Sequence, residues 1–435
     1  MPPPRPRPPR RPRADRVGLA LAWVAVVVVG AGALASLDPA RVGLSMLTPW
    51  AQLVTLRAAA GALALALAVL LALVAAAVRV RRRRRLRRWP VPLLVLVACL
   101  AVTGVGQGAV LLARTPPPAL GAAGDGRPLP GRQPGDLVVT TFNVGPRGTP
   151  ADEVVDLALR RDADVVALTE APEELAQQVA DGLAAAGRPV QLLSAAPVDG
   201  PALRLGGTGL LLPFVEANTR LLVSEDLGRY TAVGPDGTTS EGTTSDGTSS
   251  DGTSSDGTIK EEAGPGVPAP PRLLGGAVVA VPADGDGPPL AAVHTLPALP
   301  LLFDMGRWRS ETAAAVGLCD RLPGGVVAGD LNVTPDHAVL RTTTCVDAAA
   351  GEGLHGGDGP DDDGADDDGG GDDGGGGADA PGGTWPSSLP VPLTAPIDHV
   401  LADAGSWSAV DAAVDRVGAS DHRALTALLR PRPTG

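Results

Sequence analysis

Asp330 and Asn332, in Gly329-Asp330-Leu331-Asn332, are the residues best placed to do chemistry in this sequence. The apolar run Val326-Val327-Ala328 leads into them and Thr334-Pro335-Asp336 turns the chain afterwards, which reads as a buried strand delivering both to a sheet edge. Two positions apart in an extended chain, they point to the same side. The carboxylate can accept a proton or orient a water, and the amide can bind phosphate oxygen or hold the carboxylate in place. Alone, the tetrapeptide is ordinary turn composition. Its company changes that reading. Asn143, Glu170, His294, Asp398 with His399, and Asp421 with His422 also fall at the ends of expected strands. Carboxylates gathered there are costly without a cation, so a divalent metal held by Glu170 is the economical arrangement. Oxygen and amide ligands without a Cys site imply a hard ion, Mg²⁺ or Mn²⁺. An imidazole held by a carboxylate can protonate a leaving oxygen or stabilise charge on phosphate.

Each of these residues also has a bland reading. Glu170 can be a solvated strand-end acid, Asn143 a turn residue, His294 a hydrogen-bonded structural histidine, and Asp421-His422 a cap. His399 reads as a packing neighbour of Asp398 and not as a catalytic group. His337 and His355 have no supporting context and read as surface residues.

The elements that must position these groups alternate in type. Strands are expected at 137–142, 163–169, 190–193, 209–213, 219–223, 276–281, 290–294, 325–328, 397–401 and 423–429. Helices are expected at 149–161, 172–186 and 304–322, the first with Thr149 as cap and Pro150 as first helical residue. The pattern is α/β, over residues 136–430. Two low-complexity inserts interrupt it. Residues 235–258 repeat Asp-Gly-Thr-Ser-Ser and 356–383 are nearly all Gly and Asp. Neither composition buries a core, so both are expected as disordered surface loops. Their spacing matches no calcium-binding repeat.

Ahead of this domain lie a disordered basic N-terminus (1–16), a three-helix transmembrane module (17–114) and a Pro/Gly linker (115–135). The three apolar runs, at about 17–37, 58–78 and 91–113, each have about the 20 residues a spanning helix needs. Between the second and third, residues 79–88 carry eight Arg, while the loop at 38–57 carries only Arg41 and Arg57. That bias puts the N-terminus and the Arg-rich loop in the cytoplasm and everything after Arg114 outside. A cleaved signal peptide at Ala33-Leu34-Ala35 leaves the C-terminal part outside as well. The net charge of -12 hides two opposed halves, since residues 1–135 hold 19 Arg against 3 Asp. The acidic remainder argues against tight non-specific DNA binding. Of three Cys, Cys99 lies in an apolar run, and Cys319 and Cys345 can be paired or free.

Thr141-Phe142-Asn143, Ala167-Leu168-Thr169-Glu170, Val293-His294-Thr295, Gly329-Asp330-Leu331-Asn332, Ile397-Asp398-His399-Val400-Leu401 and Ser420-Asp421-His422-Arg423 resemble, in order, the motifs of the endonuclease/exonuclease/phosphatase superfamily. The resemblance implies a four-layer sandwich of two mixed β-sheets flanked by helices, with the active site at one end. It implies Glu170 as principal metal ligand, with Asn143 beside it and Asp421 completing or orienting the metal shell. Asp330, oriented by Asn332, would position and deprotonate the attacking water, and His422 backed by Asp398 would stabilise the phosphorus and its oxygens. His294 matches the general acid of the deoxyribonuclease-like and sphingomyelinase-like branches. The chain departs from the family in lacking an Arg before Ile397, a match for the phosphate-holding tyrosine, and a basic residue in the 210–215 strand. The expectation is a membrane-anchored, extracytoplasmic, Mg²⁺-dependent hydrolase of a phosphodiester or phosphomonoester, without an evident protein partner. Its substrate could be small, lipid-linked or nucleic acid. The alternatives are an extracellular nuclease acting on DNA or RNA, or a catalytically silent module that binds a phosphorylated ligand.

Overall fold

A computed structural model of the chain describes residues 13–81, 91–113, 129, 131–145, 148–195, 218–241, 243–244, 267–283, 285, 287–299, 304–350 and 382–433. The N-terminal part holds helices α1 (Arg13–Ala35), α2 (Trp50–Thr55), α3 (Arg57–Arg81) and α4 (Val91–Ala113). Two of them, over Arg57–Ala77 and Val91–Ala113, are long and apolar enough to cross a membrane by length and composition. The third expected span is a helix too, but the apolar part found within α1, Leu19–Ala35, is shorter than the usual crossing length.

The rest of the chain is β1 (Leu137–Asn143), α5 (Ala151–Arg161), β2 (Val165–Thr169), α6 (Glu173–Ala185), β3 (Val190–Ser194) and β4 (Arg220–Ser224). Then come β5 (Tyr230–Val233), β6 (Thr239–Glu241), β7 (Thr243–Thr244), β8 (Ala277–Pro282), β9 (Leu290–His294), α7 (Met305–Asp320) and β10 (Val326–Asp330). The last strands are β11 (Val346–Asp347), β12 (Asp398–Ala402), β13 (Trp407–Arg416) and β14 (Arg423–Pro431). They build two seven-stranded mixed sheets, ordered β13-β14-β1-β2-β4-β3-β7 and β11-β12-β10-β9-β8-β5-β6. β1 pairs parallel with β2, and β9 parallel with β10, while the flanking pairs are antiparallel.

Side-chain alternation explains the layers. Val139, Val165, Ala167, Leu290, Ala292, Val326, Ala328, Val400 and Ala402 face inward and form one core between the sheets. Their neighbours along the strands face outward: Phe142, Val166 and Leu168 onto α5 and α6, and Ala291, Val327 and Leu401 onto α7. The result is the expected α/β sandwich of two mixed sheets flanked by helices. Acidic residues open α5 and Arg160 and Arg161 close it, matching the helix dipole, before Asp162 takes a left-handed C-cap. Asp304 caps α7 by accepting from the Gly306 N–H at 2.8 Å. Thr149 does not cap α5; its hydroxyl donates instead to the Val144 carbonyl at 3.0 Å.

Two further differences from expectation have physical causes. The insert expected as disordered from 235 begins with structure, because Pro235-Asp236-Gly237 makes a turn that returns β6 along β5. Asp236 Oδ1 accepts there from both the Thr238 N–H and its hydroxyl. Residues 245–258, the 356–381 part of the second insert, and the expected strand at 209–213 lie outside the described residues. β13 was not expected: its Ala- and Asp-rich sequence is only half buried, and a bulge between Ala409 and Asp411 breaks its alternation. Cys319 of α7 and Cys345 just before β11, which the sequence left open as paired or free, form a disulfide.

Candidate active site

The inward alternation that fills the core with Val, Leu and Ala continues one step further at one end of the sandwich. Asn143 follows Val139 and Thr141 on β1, His294 follows Leu290 and Ala292 on β9, and Asp330 follows Val326 and Ala328 on β10. Asp398 precedes Val400 and Ala402 on the antiparallel β12. Period two therefore aims all four polar side chains into the space between the sheets, at the same end. Register keeps them together, since Asp330 pairs with His294 on one side and with Asp398 on the other. His422 comes from the other sheet, immediately before β14.

Glu170 follows β2 with φ of 54°, and Asn332 has φ of 49°. Left-handed backbone at a non-glycine residue is costly and concentrates at functional sites. It is where the chain leaves the strand and turns each side chain toward the cluster. Asn143 Nδ2 donates to Glu170 Oε1 at 3.1 Å and to Asp330 Oδ2 at 3.0 Å, joining carboxylates from the two sheets. His294 Nε2 lies 3.8 Å from the same two oxygens. Asp330 Oδ1 accepts from the Asn332 N–H at 2.9 Å, and Asn332 Nδ2 donates to the Thr295 carbonyl at 2.8 Å. Asn332 thus fixes both its own loop and the Asp330 carboxylate.

His422 and Asp398 form the second half. The His422 Nδ1 to Asp398 Oδ2 distance is 2.9 Å with both groups buried, which leaves Nε2 facing the site 3.9 Å from Asp330 Oδ2. Burial alone would lower the imidazole pKa, but the Asp398 carboxylate, helped by Asp330 and Asp421, overrides it and holds His422 at about 9. Burial, with the Asp398 charge added, pushes Asp330 up to about 6 despite His422, His294 and the Asn143 hydrogen bond. One group is therefore cationic and the other anionic at neutral pH, in the low dielectric between the sheets.

Asp421 sits apart from this group. Its Oδ2 accepts from Trp385 Nε1 at 3.1 Å, and its Oδ1 would lie 3.2 Å from a side chain added at Gly145, behind Asn143. Trp385 and Ser420 were given no role from sequence. The Ser420 hydroxyl donates to the Asn143 carbonyl at 2.7 Å and accepts from the His422 N–H at 3.0 Å, tying the two halves together. The Ser-Asp-His order pointed to Ser420, whereas nothing in the sequence around Trp385 did.

The other histidines separate cleanly. His399 faces the opposite side of β12 from Asp398, where its ring joins Asp347 at 2.8 Å and the Val333 carbonyl at 2.9 Å. Both partners are acceptors, so the buried ring is doubly protonated, in line with its raised pKa, which Asp347 sustains against burial. His337 corrects the surface reading: it is fully buried edge-on to Trp308, at 5.6 Å between ring centres, and burial lowers its pKa to about 4. His355 lies outside the described residues.

The donor set suits a hard divalent cation. Glu170 and Asp330 converge on the positive edge of the Asn143 amide and on His294, positions that a cation would reinforce, and Asp398 Oδ1 is buried without a hydrogen-bond partner. Asp330, Asp398 and His422 also bring ligand atoms within 4.8 Å of one another. That trio differs from the Asn143, Glu170 and Asp421 set expected from sequence. Asp398 Oδ2 and His422 Nδ1 already hold one another as carboxylate and imidazolium, so partly exposed Glu170, beside Asn143, is the better centre of a metal site.

The sequence profile of the Endonuclease/Exonuclease/phosphatase family matches residues 140–422, and the chain belongs to that family. Among solved structures, it is similar to the endonuclease/exonuclease/phosphatase from Bacteroides vulgatus, with 13% identity, 68% of this chain and 99% of that one covered, and a TM-score of 0.38. It is also similar to the human Nocturnin catalytic domain, with 11% identity, coverage of 68% and 94%, and a TM-score of 0.36. The AP endonuclease from Archaeoglobus fulgidus matches at 13% identity, with coverage of 67% and 98% and a TM-score of 0.33. No curated protein matches the chain. The chain is thus a member of a hydrolase family of phosphoesterase and nuclease type, and the membership rests on the profile match.

Proposed function

We propose that the protein is a membrane-anchored, extracytoplasmic, metal-dependent phosphoesterase that hydrolyses a phosphodiester or phosphomonoester with an activated water. The observation that carries this reading is the buried pairing of anionic Asp330 with cationic His422, beside the Asn143-Glu170 link. Asp330, its Oδ1 held by the Asn332 N–H, takes a proton from the attacking water through Oδ2. The water oxygen bonds to phosphorus while the ester oxygen leaves, and His294 gives that oxygen its proton. His422 presents Nε2–H to the phosphoryl oxygens, where the charge held by Asp398 stabilises the five-coordinate transition state. Glu170 and Asn143, with Asp421 behind them, would hold Mg²⁺ or Mn²⁺. When bound, the ion supplies charge neutralisation at the phosphate and polarisation of the attacked ester. Asn143 would ligate through its side-chain oxygen, which here accepts from the Gly145 N–H.

The helices over Arg57–Ala77 and Val91–Ala113, with the Arg-rich segment between them, support anchoring with the domain outside. The Cys319–Cys345 disulfide fits an oxidising compartment. The test is hydrolysis of bis-p-nitrophenyl phosphate and p-nitrophenyl phosphate by the purified full chain, with Mg²⁺ and then EDTA. Release that stops with the chelator is expected, and Asp330→Asn should lower it about 10²–10⁴-fold. Undiminished turnover in Asp330→Asn would remove the water-activating role, and no turnover of either ester by the folded chain would favour the phosphate-binding module.

A further inference from the structure

Three loops leave the active-site end of the second sheet, and each meets the membrane segment within a few residues of a site residue. After His294, the Ala298 carbonyl accepts from Gln52 Nε2 of α2 at 2.8 Å. After Asp330 and Asn332, buried Asp336 pairs with Arg57 Nη2 at 2.7 Å, where α3 begins, and Arg57 also donates to Gln107 of α4. Before Asp398, the 391–396 loop encloses a small cavity of about 40 Å³ together with Arg57, Ala58 and Leu111. The catalytic end of the sandwich is therefore its membrane end.

Exposed apolar side chains follow the same division. Among the described residues from 129 to 433, the exposed large hydrophobics are Leu299 (45%), Leu389 (40%) and Leu393 (45%). Leu299 adjoins Ala298, and Leu393 lines the cavity against α4. The Leu389 carbonyl is held by Arg423, the residue after His422. Exposed Val42, Leu47 and Leu56 come from the segment between α1 and α3. The opposite end carries ion pairs instead, Arg132 with Asp164 and Arg430 with Asp136. Scattered exposed leucines mean little, but leucines confined to one end and continuous with apolar membrane helices mark an interface.

We propose that this end rests on the outer surface of the bilayer, with Leu299, Leu389 and Leu393 dipping into it, and that the substrates are phosphoesters of lipid-anchored amphiphiles. The proposal builds on the membrane-anchored phosphoesterase reading and adds the surface and the substrate class. A phosphate headgroup in the outer leaflet would meet Asp330 and His422 without leaving the interface, whereas a soluble ester must diffuse into the gap between domain and lipid.

The test uses the full chain in phosphatidylcholine vesicles and one chromophore, 4-methylumbelliferyl phosphodiester, bearing either a hexadecyl chain in the bilayer or a methyl group in solution. The parent should favour the hexadecyl ester by at least about tenfold in kcat/KM. A triple Leu299→Asp, Leu389→Asp, Leu393→Asp variant should lose that preference and keep its rate on the methyl ester. Equal rates in the parent, or a preference that survives the triple variant, would overturn the proposal. A readout independent of activity is Leu393→Trp in vesicles with brominated acyl chains. Quenching beyond that of the parent's tryptophans supports the surface, and no added quenching overturns it. Failure to cleave either ester, with Leu393→Trp quenched, would reject cleavage of phosphodiesters, and with it the proposed use of lipid phosphodiesters, while upholding the docking surface.

Discussion

Asp398→Asn is the most informative single change. The side chain keeps its shape, but the charge 2.9 Å from His422 Nδ1 disappears. His422 stands at about 9 because Asp398, with smaller help from Asp330 and Asp421, outweighs burial, and the ordinary value is 6.5. The gap corresponds to about 3 kcal/mol favouring the imidazolium at about 1.4 kcal/mol per pKa unit. Without Asp398, burial dominates and His422 should titrate at or below its ordinary value. At pH 7.5 the charged fraction then falls from nearly all to roughly a tenth or less. In a kcat/KM profile on bis-p-nitrophenyl phosphate, the parent should rise through about 6 as Asp330 ionises and fall through about 9 as His422 loses its proton. The variant's alkaline limb should move below neutrality. The same raised pKa is a stability contribution, complete below about 6.5 and lost as pH rises through about 9. Urea midpoints of the parent should therefore fall between those values, and those of Asp398→Asn should fall less, by what the raised pKa of His399 still contributes. An alkaline limb that stays near 9 in the variant would refute the view that Asp398 keeps His422 charged.

Other changes test the scaffold. An alanine Cβ at Gly329 would lie 1.8 Å from the Val293 carbonyl oxygen. Gly329→Ala should therefore force apart the strands carrying His294 and Asp330, and reduce both activity and denaturant midpoint. Arg57→Met leaves the buried Asp336 carboxylate without its 2.7 Å partner, and should cost about 3–5 kcal/mol, read as a lower unfolding temperature of the detergent-solubilised chain. Replacing Cys319 and Cys345 together by Ser opens a loop with a sequence separation of 26, so about 3–4 kcal/mol of denaturant stability should be lost, and the parent should fall toward the variant's value in dithiothreitol.

Much of the fold was legible because its strands are buried on both faces. Runs such as Val138-Val139 and Val165-Val166-Ala167-Leu168 announce themselves by composition, and β9 begins and ends where its pattern does. β13 was hidden because an edge strand with a bulge keeps neither burial nor alternation. β11 was hidden because two residues carry no pattern. The turn at Pro235-Asp236-Gly237 was readable, but its repetitive continuation masked it. The segment between α1 and α3 read as a plain connector. Its hold on the domain depends on Gln52 and Arg57 finding partners some 250 positions away, as Gln52 with Met305 shows at a separation of 253, and no local pattern reports such pairs.

The site shows where alternation suffices and where it fails. Asp398 and His399 are adjacent, so on a strand they must face opposite sides, and one cannot orient the other. Parity with Val400 and Ala402 puts Asp398 in the space between the sheets, so its histidine partner had to come from elsewhere, and His422, just before β14, fills that place. The same parity sends His399 outward to Asp347. Parity is silent for Glu170 and fails for Asn332, which was counted as extended with Asp330, because both lie past their strands on left-handed backbone. It is silent for His337 as well, which had no supporting context in the sequence and is covered by Trp308 and the segment between α1 and α3. Residues inside strands could be placed from sequence by counting, and those just beyond needed the turn geometry that only the folded chain supplies.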